Sequence, residues 1–299
     1  MRNLFSKYGR VAKPSPQGAG KAFFVGASGA TYLPNLTNHF VTDEEGDVRS
    51  FTTIADAISA ASSGRGDYIY VLPGTYTITT ALAMSKADIH LIALGSVGSA
   101  ILTGSAADIM DITANGCEVA GFQMNLASTQ ICIDMAGASG CNIHDNVFLS
   151  AVGGSGSHFI RMATTACNYN TITKNRFISN LVVAGGAITQ TSHITGLGIG
   201  NLIEENVFVA GRVTTANTGT VTAGVIFGAA ADAGNCVRNN EFTEFNGGIF
   251  TAGVNYGTTA LGGSVICTRN NFMLATNTNA VVPGSNAASF ANNIADGTV

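Results

Sequence analysis

The chain has 299 residues, 46% hydrophobic and 11% charged, with 37 Gly, no Trp and a formal net charge of -4. Globular proteins carry about 25% charged residues, so this surface is charge-poor, and without a Lys and Arg excess no nucleic-acid partner is expected. No apolar run approaches about 18 residues and the basic N-terminus lacks a following apolar core, so neither a membrane span nor a secretion signal is expected.

Six cysteines, at 117, 132, 141, 167, 236 and 267, show neither CxxC nor His-Cys metal spacing and sit in apolar, strand-like runs. They read as free, buried thiols made in a reducing compartment. On that reading the sequon Asn35-Leu36-Thr37 carries no glycan.

Residues 1–20 read as a basic arm, with Arg2, Lys7, Arg10 and Lys13, no acidic side chain, and a Pro-Ser-Pro-Gln-Gly exit that continues neither helix nor central strand. Residues 21–50 form a lead-in region, with a short strand at Ala22 to Val25 and an acidic turn at Asp43, Glu44, Glu45 and Asp47. Residues 51–67 hold a capping helix of roughly ten residues, with hydroxyl N-caps at Thr52 and Thr53, apolar side chains at helical spacing, and Gly64 and Gly66 behind it. From residue 68 to 299 strands and turns alternate, starting with a strand, a Pro73-Gly74 turn and a second strand.

A repeat runs through this region. An apolar residue, an Asn three later and a Phe two beyond that recur as Ile143/Asn146/Phe148, Ile172/Asn175/Phe177, Ile203/Asn206/Phe208, Val237/Asn240/Phe242 and Cys267/Asn270/Phe272, after a degenerate copy at Cys117/Ala120/Phe122. Asn tolerates the left-handed conformation best among non-glycine residues, so each unit reads as strand, Asn corner, strand. Coils stacked at about 4.8 Å would then place Phe on Phe and Ile on Ile or Val inside, and let Asn146, Asn175, Asn206, Asn240 and Asn270 chain their amides up the corner. The fold class is all-β: a single-stranded, right-handed parallel β-helix with a short N-terminal capping helix. Charge follows the same alignment, with Asp145 over Lys174 over Glu205 and Glu204 over Arg238, as an outward column should show.

The helix followed by Asp67-Tyr-Ile-Tyr-Val-Leu-Pro-Gly-Thr-Tyr-Thr, with the Asn-x-Phe coils after it, resembles the pectate-lyase-like superfamily of right-handed parallel β-helices over residues 50–299. A narrower stretch, Gly20 to Val25 and Val41 to Phe51 with the helix behind it, is similar to β-helix proteins among the structural genes of tailed bacteriophages. The first resemblance implies a fold; its members include lyases, hydrolases, adhesins, tailspikes and virion shell proteins.

A lyase of this kind requires clustered carboxylates for Ca²⁺ and an Arg or Lys base facing one sheet, and a hydrolase requires inward-converging Asp pairs on adjacent coils. The sequence displays neither. Arg176, beside the column of Val147, Val207, Glu241 and Asn271, is the best single base, weighed against a solvated ladder residue. Asp108 and Asp111 share a face, with Asp134 a coil later, only if the strand bends. His39, His90, His144, His158 and His193 read as satisfied turn residues, and Cys117 and Cys267 as core residues in the position held elsewhere by Ile or Val. Three long, charge-poor segments, about 182–200, 211–234 and 246–264, read either as surface packed on a partner or as extended strands in wider coils.

No catalytic residue, metal or cofactor is therefore expected. The expectation is a non-enzymatic virion protein of a tailed bacteriophage, a trimeric capsid decoration or cement protein whose arm, through Arg2, Lys7, Arg10 and Lys13, binds the major capsid protein or another virion protein. The alternative is a tailspike-like protein that binds or depolymerises a glycan.

Overall fold

The computed structural model describes residues 20–27, 48–105, 108–126, 130–150, 158–180, 188–211, 219–228, 234–245, 249–256, 266–274, 280–282, 289–291 and 293–295. Strands β1 (Ala22–Val25) and β2 (Ser50–Phe51) and helix α1 (Ile54–Ala60) come first. Coils follow as strand triplets: β3 (Asp67–Val71), β4 (Gly74–Ile78) and β5 (Leu82–Met84), then β6 (Ile89–Ala93), β7 (Ala100–Gly104) and β8 (Met110–Ile112). Next are β9 (Glu118–Ala120), β10 (Gln123–Leu126) and β11 (Ile133–Met135), then β12 (Asn142–His144), β13 (Val147–Ser150) and β14 (His158–Met162). The wider coils are β15 (Thr171–Thr173), β16 (Arg176–Asn180) and β17 (Ile188–Gly196), then β18 (Leu202–Glu204), β19 (Val207–Gly211) and β20 (Gly219–Phe227). The last are β21 (Cys236–Arg238), β22 (Glu241–Phe245) and β23 (Ile249–Asn255), β24 (Ile266–Thr268), β25 (Asn271–Met273) and β26 (Val281–Val282), and β27 (Ser289–Ala291) with β28 (Ile294–Ala295).

Each coil contributes one strand to each of three parallel sheets: sheet 1 runs β2-β1-β3-β6 and onward to β27, sheet 2 from β4 to β28, and sheet 3 from β5 to β26. The chain is a parallel β-helix. Helix α1 is shorter than the sequence predicts, at seven residues, because Ala61 turns to extended backbone (φ -68, ψ 158). The Thr53 hydroxyl caps it by accepting from the Asp56 amide at 3.1 Å, and Ile54, Ala57 and Ile58 pack into the core beside β1, β2, β3 and β5. The arm residues Arg2, Lys7, Arg10 and Lys13 lie outside the described residues.

The corner between sheets 1 and 2 is built differently from the sequence reading. The left-handed residue is the one before each Asn: Asp145, Lys174, Glu205, Asn239 and Arg269 have φ between 54 and 57. That single left-handed residue turns the chain and aims the following Asn inward, where Asn146, Asn175, Asn206, Asn240 and Asn270 are at most 2% exposed. From Asn175 onward each Asn Oδ1 accepts from the previous coil's Asn, as where Asn206 Oδ1 takes the Asn175 backbone N–H at 2.9 Å and its Nδ2 at 3.1 Å. Each Nδ2 also donates back to a carbonyl of the previous coil, Asn206 to Ile172 at 2.8 Å. Asn293 extends the ladder beyond the residues predicted, accepting from the Asn270 N–H at 3.0 Å and Nδ2 at 3.1 Å.

The degenerate copy is misregistered in the sequence alignment by two positions. Ile143 pairs with Val119, so Gly121 (φ 82) takes the left-handed position and Phe122 the Asn position, its N–H donating to Asn146 Oδ1 at 3.0 Å. Cys117 consequently stacks on Cys141 rather than on Ile143, whereas Cys267 does pair with Val237 as expected.

A second ladder, absent from the sequence reading, occupies the corner between sheets 3 and 1. Its left-handed residues are Gly66, Asp88, Gly116, Gly140, Tyr169, Gly200 and Gly234. At Gly200 a Cβ would meet the Tyr169 ring at 2.6 Å, so this turn requires glycine both for its φ of 69 and for that contact. The inward residue after each includes Asn170, Asn201 and Asn235; the Asn170 N–H donates to Asn201 Oδ1 at 2.9 Å and the Asn201 N–H to Asn235 Oδ1 at 2.8 Å.

Inside sheet 2 the rings of Phe148, Phe177, Phe208, Phe242 and Phe272 form one stack, with successive centroids 4.6 to 4.9 Å apart. The long charge-poor segments contain β17, β20 and β23, which pair with one another and widen sheet 3. Their parts at 181–187, 212–218, 229–233, 246–248 and 257–265 lie outside the described residues.

Replacing Asn206 with Ala removes the acceptor for two buried donors on Asn175 and the donors to Ile172 and Asn240. Each orphaned group costs about 1–3 kcal/mol, so urea unfolding of Asn206→Ala is expected to show a loss of several times that of any exposed neighbour. Arg269→Gly is expected to act oppositely, raising stability by about 1 kcal/mol by relieving left-handed strain at an L-residue.

Candidate functional site

Three groupings of chemistry-bearing side chains emerge among the described residues. On the outer face of sheet 3, strand register places Asp111 beside Asp134 and Asp134 beside Arg161. Asp108 precedes β8 and bends in to join them, its Oδ1 accepting the Ile131 N–H at 2.7 Å. Oxygens of Asp108, Asp111 and Asp134 come within 4.8 Å of one another. The strand bend on which this convergence is conditional is present, and Asp111 and Asp134 pair across coils on the outer face, not inward.

Arg161 closes one side of the group, forking onto Asp134 with Nε at 2.9 Å and Nη2 at 2.6 Å. The hydrogen bond to Asp134 raises the Arg161 pKa, with the neighbouring charges of Asp134, Asp108 and Asp111 acting the same way. Burial, and then repulsion from Asp108 and Asp134, raise Asp111 above the ordinary carboxyl value. His158 lies alongside, its Nδ1 at 2.8 Å from Ser192 Oγ and 3.0 Å from Thr195 Oγ1; burial and Arg161 push it down to about 4, so it is neutral at pH 7. The arrangement offers three carboxylates at one point, with Asp111 raised and one fixed cation beside them, which suits cation coordination or acid-base work at a glycosidic oxygen.

On the outer face of sheet 1, Glu118 lies between two imidazoles, with Oε2 at 2.6 Å from His90 Nδ1 and Oε1 at 2.7 Å from His144 Nε2. The other His144 nitrogen, Nδ1, faces Asp145 at 2.7 Å. A ring with a carboxylate on each nitrogen satisfies both only as imidazolium, so Glu118 and then Asp145 raise the His144 pKa. Hydrogen bonds from His144 and His90 in turn hold Glu118 down at about 2. Tyr68 stacks on His90 with centroids 4.2 Å apart. Asp145 thus bonds to His144, while the predicted ladder contacts appear as Lys174 to Glu205 at 3.8 Å and Arg238 to Glu204 at 2.8 Å.

The third grouping is interior. His193 sits among the rings of Phe159, Phe177, Phe208 and Phe250, and burial lowers it to about 3. The Ser179 hydroxyl donates to Gln190 Oε1, which leaves its oxygen to accept from His193 Nε2 at 2.7 Å. His90, His144, His158 and His193 all lie in strands rather than turns, and His39 lies outside the described residues. Arg176 is exposed in the column predicted for it, between Val147 and Val207, with Glu241 and Asn271 farther on.

No protein-family model matches the chain, and no curated protein matches it. Among solved structures it is similar to ORF18 of Geobacillus virus E2, at 13% identity and a TM-score of 0.35 over 92% of this chain and 60% of that one. It is also similar to a tailspike protein of the E. coli bacteriophage HK620 determined with a pentasaccharide, at 14% identity, TM-score 0.44, over 87% of this chain and 62% of that one. A PL6 family alginate lyase, AlyGC, aligns at 12% identity and TM-score 0.27 over 80% of this chain and 49% of that one. The chain spans about 60% of the length of the two viral proteins. No helix among the described residues is long and apolar enough to cross a membrane.

Within the sheet 1 cluster, Glu118 and His144 respond to pH with opposite signs. Glu118, lowered from 4.5 to about 2, contributes stability above its unfolded value that is lost as pH falls through the folded one. His144, raised from 6.5, contributes stability that is complete below 6.5 and lost as pH rises through its folded value. Urea midpoints are expected to decline from pH 6 to alkaline pH in the native chain, and this component of the decline is expected to vanish in His144→Gln. In Arg161→Met, by contrast, the uncompensated carboxylates are expected to lower stability at pH 7 and to give part of it back as Asp111 takes up a proton on acidification.

Proposed function

We propose that this chain is a non-enzymatic structural protein of a tailed-bacteriophage particle, a capsid decoration or cement protein. It binds the shell through its N-terminal region, assembles as a homotrimer and has the major capsid protein or another virion protein as its partner. The observation that carries the reading is the continuity of the side-chain columns. From Asn146 to Asn293 every coil is tied to the next by the amide ladder, and from Phe148 to Phe272 by stacked rings, in addition to strand pairing in the sheets. Such a rod distributes load across many weak contacts, which suits a mechanical part. The sequence resemblance of Gly20 to Val25 and Val41 to Phe51 to phage structural proteins adds to it, as does the basic arm, whose cations complement an acidic shell surface.

Deleting residues 1–20 is expected to abolish binding to chain-free shells in a sedimentation assay while leaving the far-ultraviolet strand signal intact. Unchanged binding of the truncated chain would remove the arm from the proposal.

One observation favours a second reading, a tailspike-like protein that binds or depolymerises polysaccharide: the convergence of Asp108, Asp111 and Asp134 beside Arg161. If it holds, host capsular polysaccharide is shortened by the native chain and not by Asp111→Asn. Intact polysaccharide after prolonged incubation with the native chain rejects the depolymerase form.

A further inference from the structure

The corner between sheets 3 and 1 binds coil to coil through the residue that follows each left-handed position. In the later coils that residue is Asn170, Asn201 or Asn235, and the link is an amide oxygen on the next backbone N–H. In two adjacent earlier coils it is Cys117 and Cys141. Glu118 pairs with Asn142 and the Asn142 N–H donates to the Cys117 carbonyl at 2.8 Å, so the two cysteines stand one directly over the other. The Asn ladder ends on this pair, with the Cys141 N–H donating to Asn170 Oδ1 at 2.9 Å.

We propose that Cys117 and Cys141 are a redox-sensitive pair that forms a disulfide between neighbouring coils, replacing by a covalent bond the amide link that asparagine supplies farther along the same corner. Parallel strands stack about 4.8 Å apart, inside the window of about 4.4–6.8 Å that a disulfide requires between its Cα atoms. Both cysteines are buried at the same position of their coils, each thiol directed to a backbone carbonyl, Cys117 Sγ to Lys86 at 3.4 Å and Cys141 Sγ to Ala114 at 3.5 Å. No other pair is placed this way. Cys236 and Cys267 occupy successive register positions and therefore opposite faces of sheet 1, while Cys167 is engaged with Met135 and Gly137.

The chemistry requires an oxidant, a low-molecular-weight disulfide. The neighbouring Cys141 holds Cys117 below the ordinary thiol value, which favours Cys117 as the first nucleophile. Its thiolate attacks one sulfur of the oxidant and expels a small thiolate, leaving a mixed disulfide. The Cys141 sulfur then attacks Cys117 Sγ and expels the second small thiolate. Two electrons pass from the cysteine pair to the oxidant, and the two thiol protons end on the two small thiols released. Both cysteines are 1% exposed, so the exchange proceeds through opening of the corner or during coil assembly, and the bond once closed is shielded from reductant.

The test uses the full chain, fully reduced, then incubated with oxidised glutathione both in buffer and in sub-denaturing urea. Acid quenching, unfolding and alkylation follow, with peptide mapping. Of the six cysteines in the chain, four are expected to remain alkylatable, with one crosslinked peptide pair joining Cys117 to Cys141. Cys117→Ser and Cys141→Ser are each expected to keep all five remaining thiols, whereas Cys132→Ser still forms the bridge. Oxidised chain is also expected to unfold at higher urea than reduced chain. Six alkylatable thiols in both arms, or a bridge confined to other cysteines, would overturn the proposal.

Discussion

A coil that turns from one sheet into the next within a single residue has to satisfy the backbone groups of the turn without a loop to carry them to water. The asparagine ladder meets that constraint, and most of the molecule follows from it. A left-handed residue such as Lys174 costs about 1–2 kcal/mol when it is not glycine, yet it directs Asn175 inward, where one amide bonds to the coils on either side. Because Asn206 Oδ1 accepts two hydrogen bonds from Asn175, a coil is incomplete until the following one is in place. Register between coils is thereby fixed, and Phe177 falls on Phe208 and Ile172 on Ile203.

The sequence made the solenoid legible because two of its columns consist of chemically distinctive residues at one offset. Asn-x-Phe survives coils of different length, since insertions fall beyond β16, β19 and β22 and leave the corner untouched. The position of the left-handed residue was not legible. Asp, Lys, Glu, Asn and Arg occupy it in turn, and only the backbone reveals that they share a conformation. The second ladder did have a signal, an Asn five residues before the corner Asn at Asn170, Asn201 and Asn235, but Cys141 and Cys117 break the run in the earlier coils. The sheet 3 carboxylates were hidden for a different reason. Asp108 and Asp111 are three apart, which places them on opposite faces of a regular strand; the bend before β8 overrides that periodicity and Asp134 arrives from another coil.

These features separate support from chemistry within the fold. Around the His193 and Ser179 pair the described interior is closed and lined by aromatic rings, and it serves cohesion. Outside, sheet 1 carries a charge-paired cluster around Glu118, in which each carboxylate meets a cationic or cationisable neighbour. Sheet 3 has three carboxylates and one guanidinium, a local surplus of negative charge on its outer face. The two proposed roles would therefore draw on different parts of the chain, the basic sequence of the N-terminal arm for a structural role and sheet 3 for a glycan-directed one.

The measurement that bears most directly on the proposed particle role is the copy number of this chain in tailed-bacteriophage particles purified from the cells that produce it, from quantitative peptide mass spectrometry against the major capsid protein. The account predicts a fixed ratio to the shell protein, with enough copies to occupy equivalent sites over the whole capsid. A handful of copies per particle, or none, would contradict it.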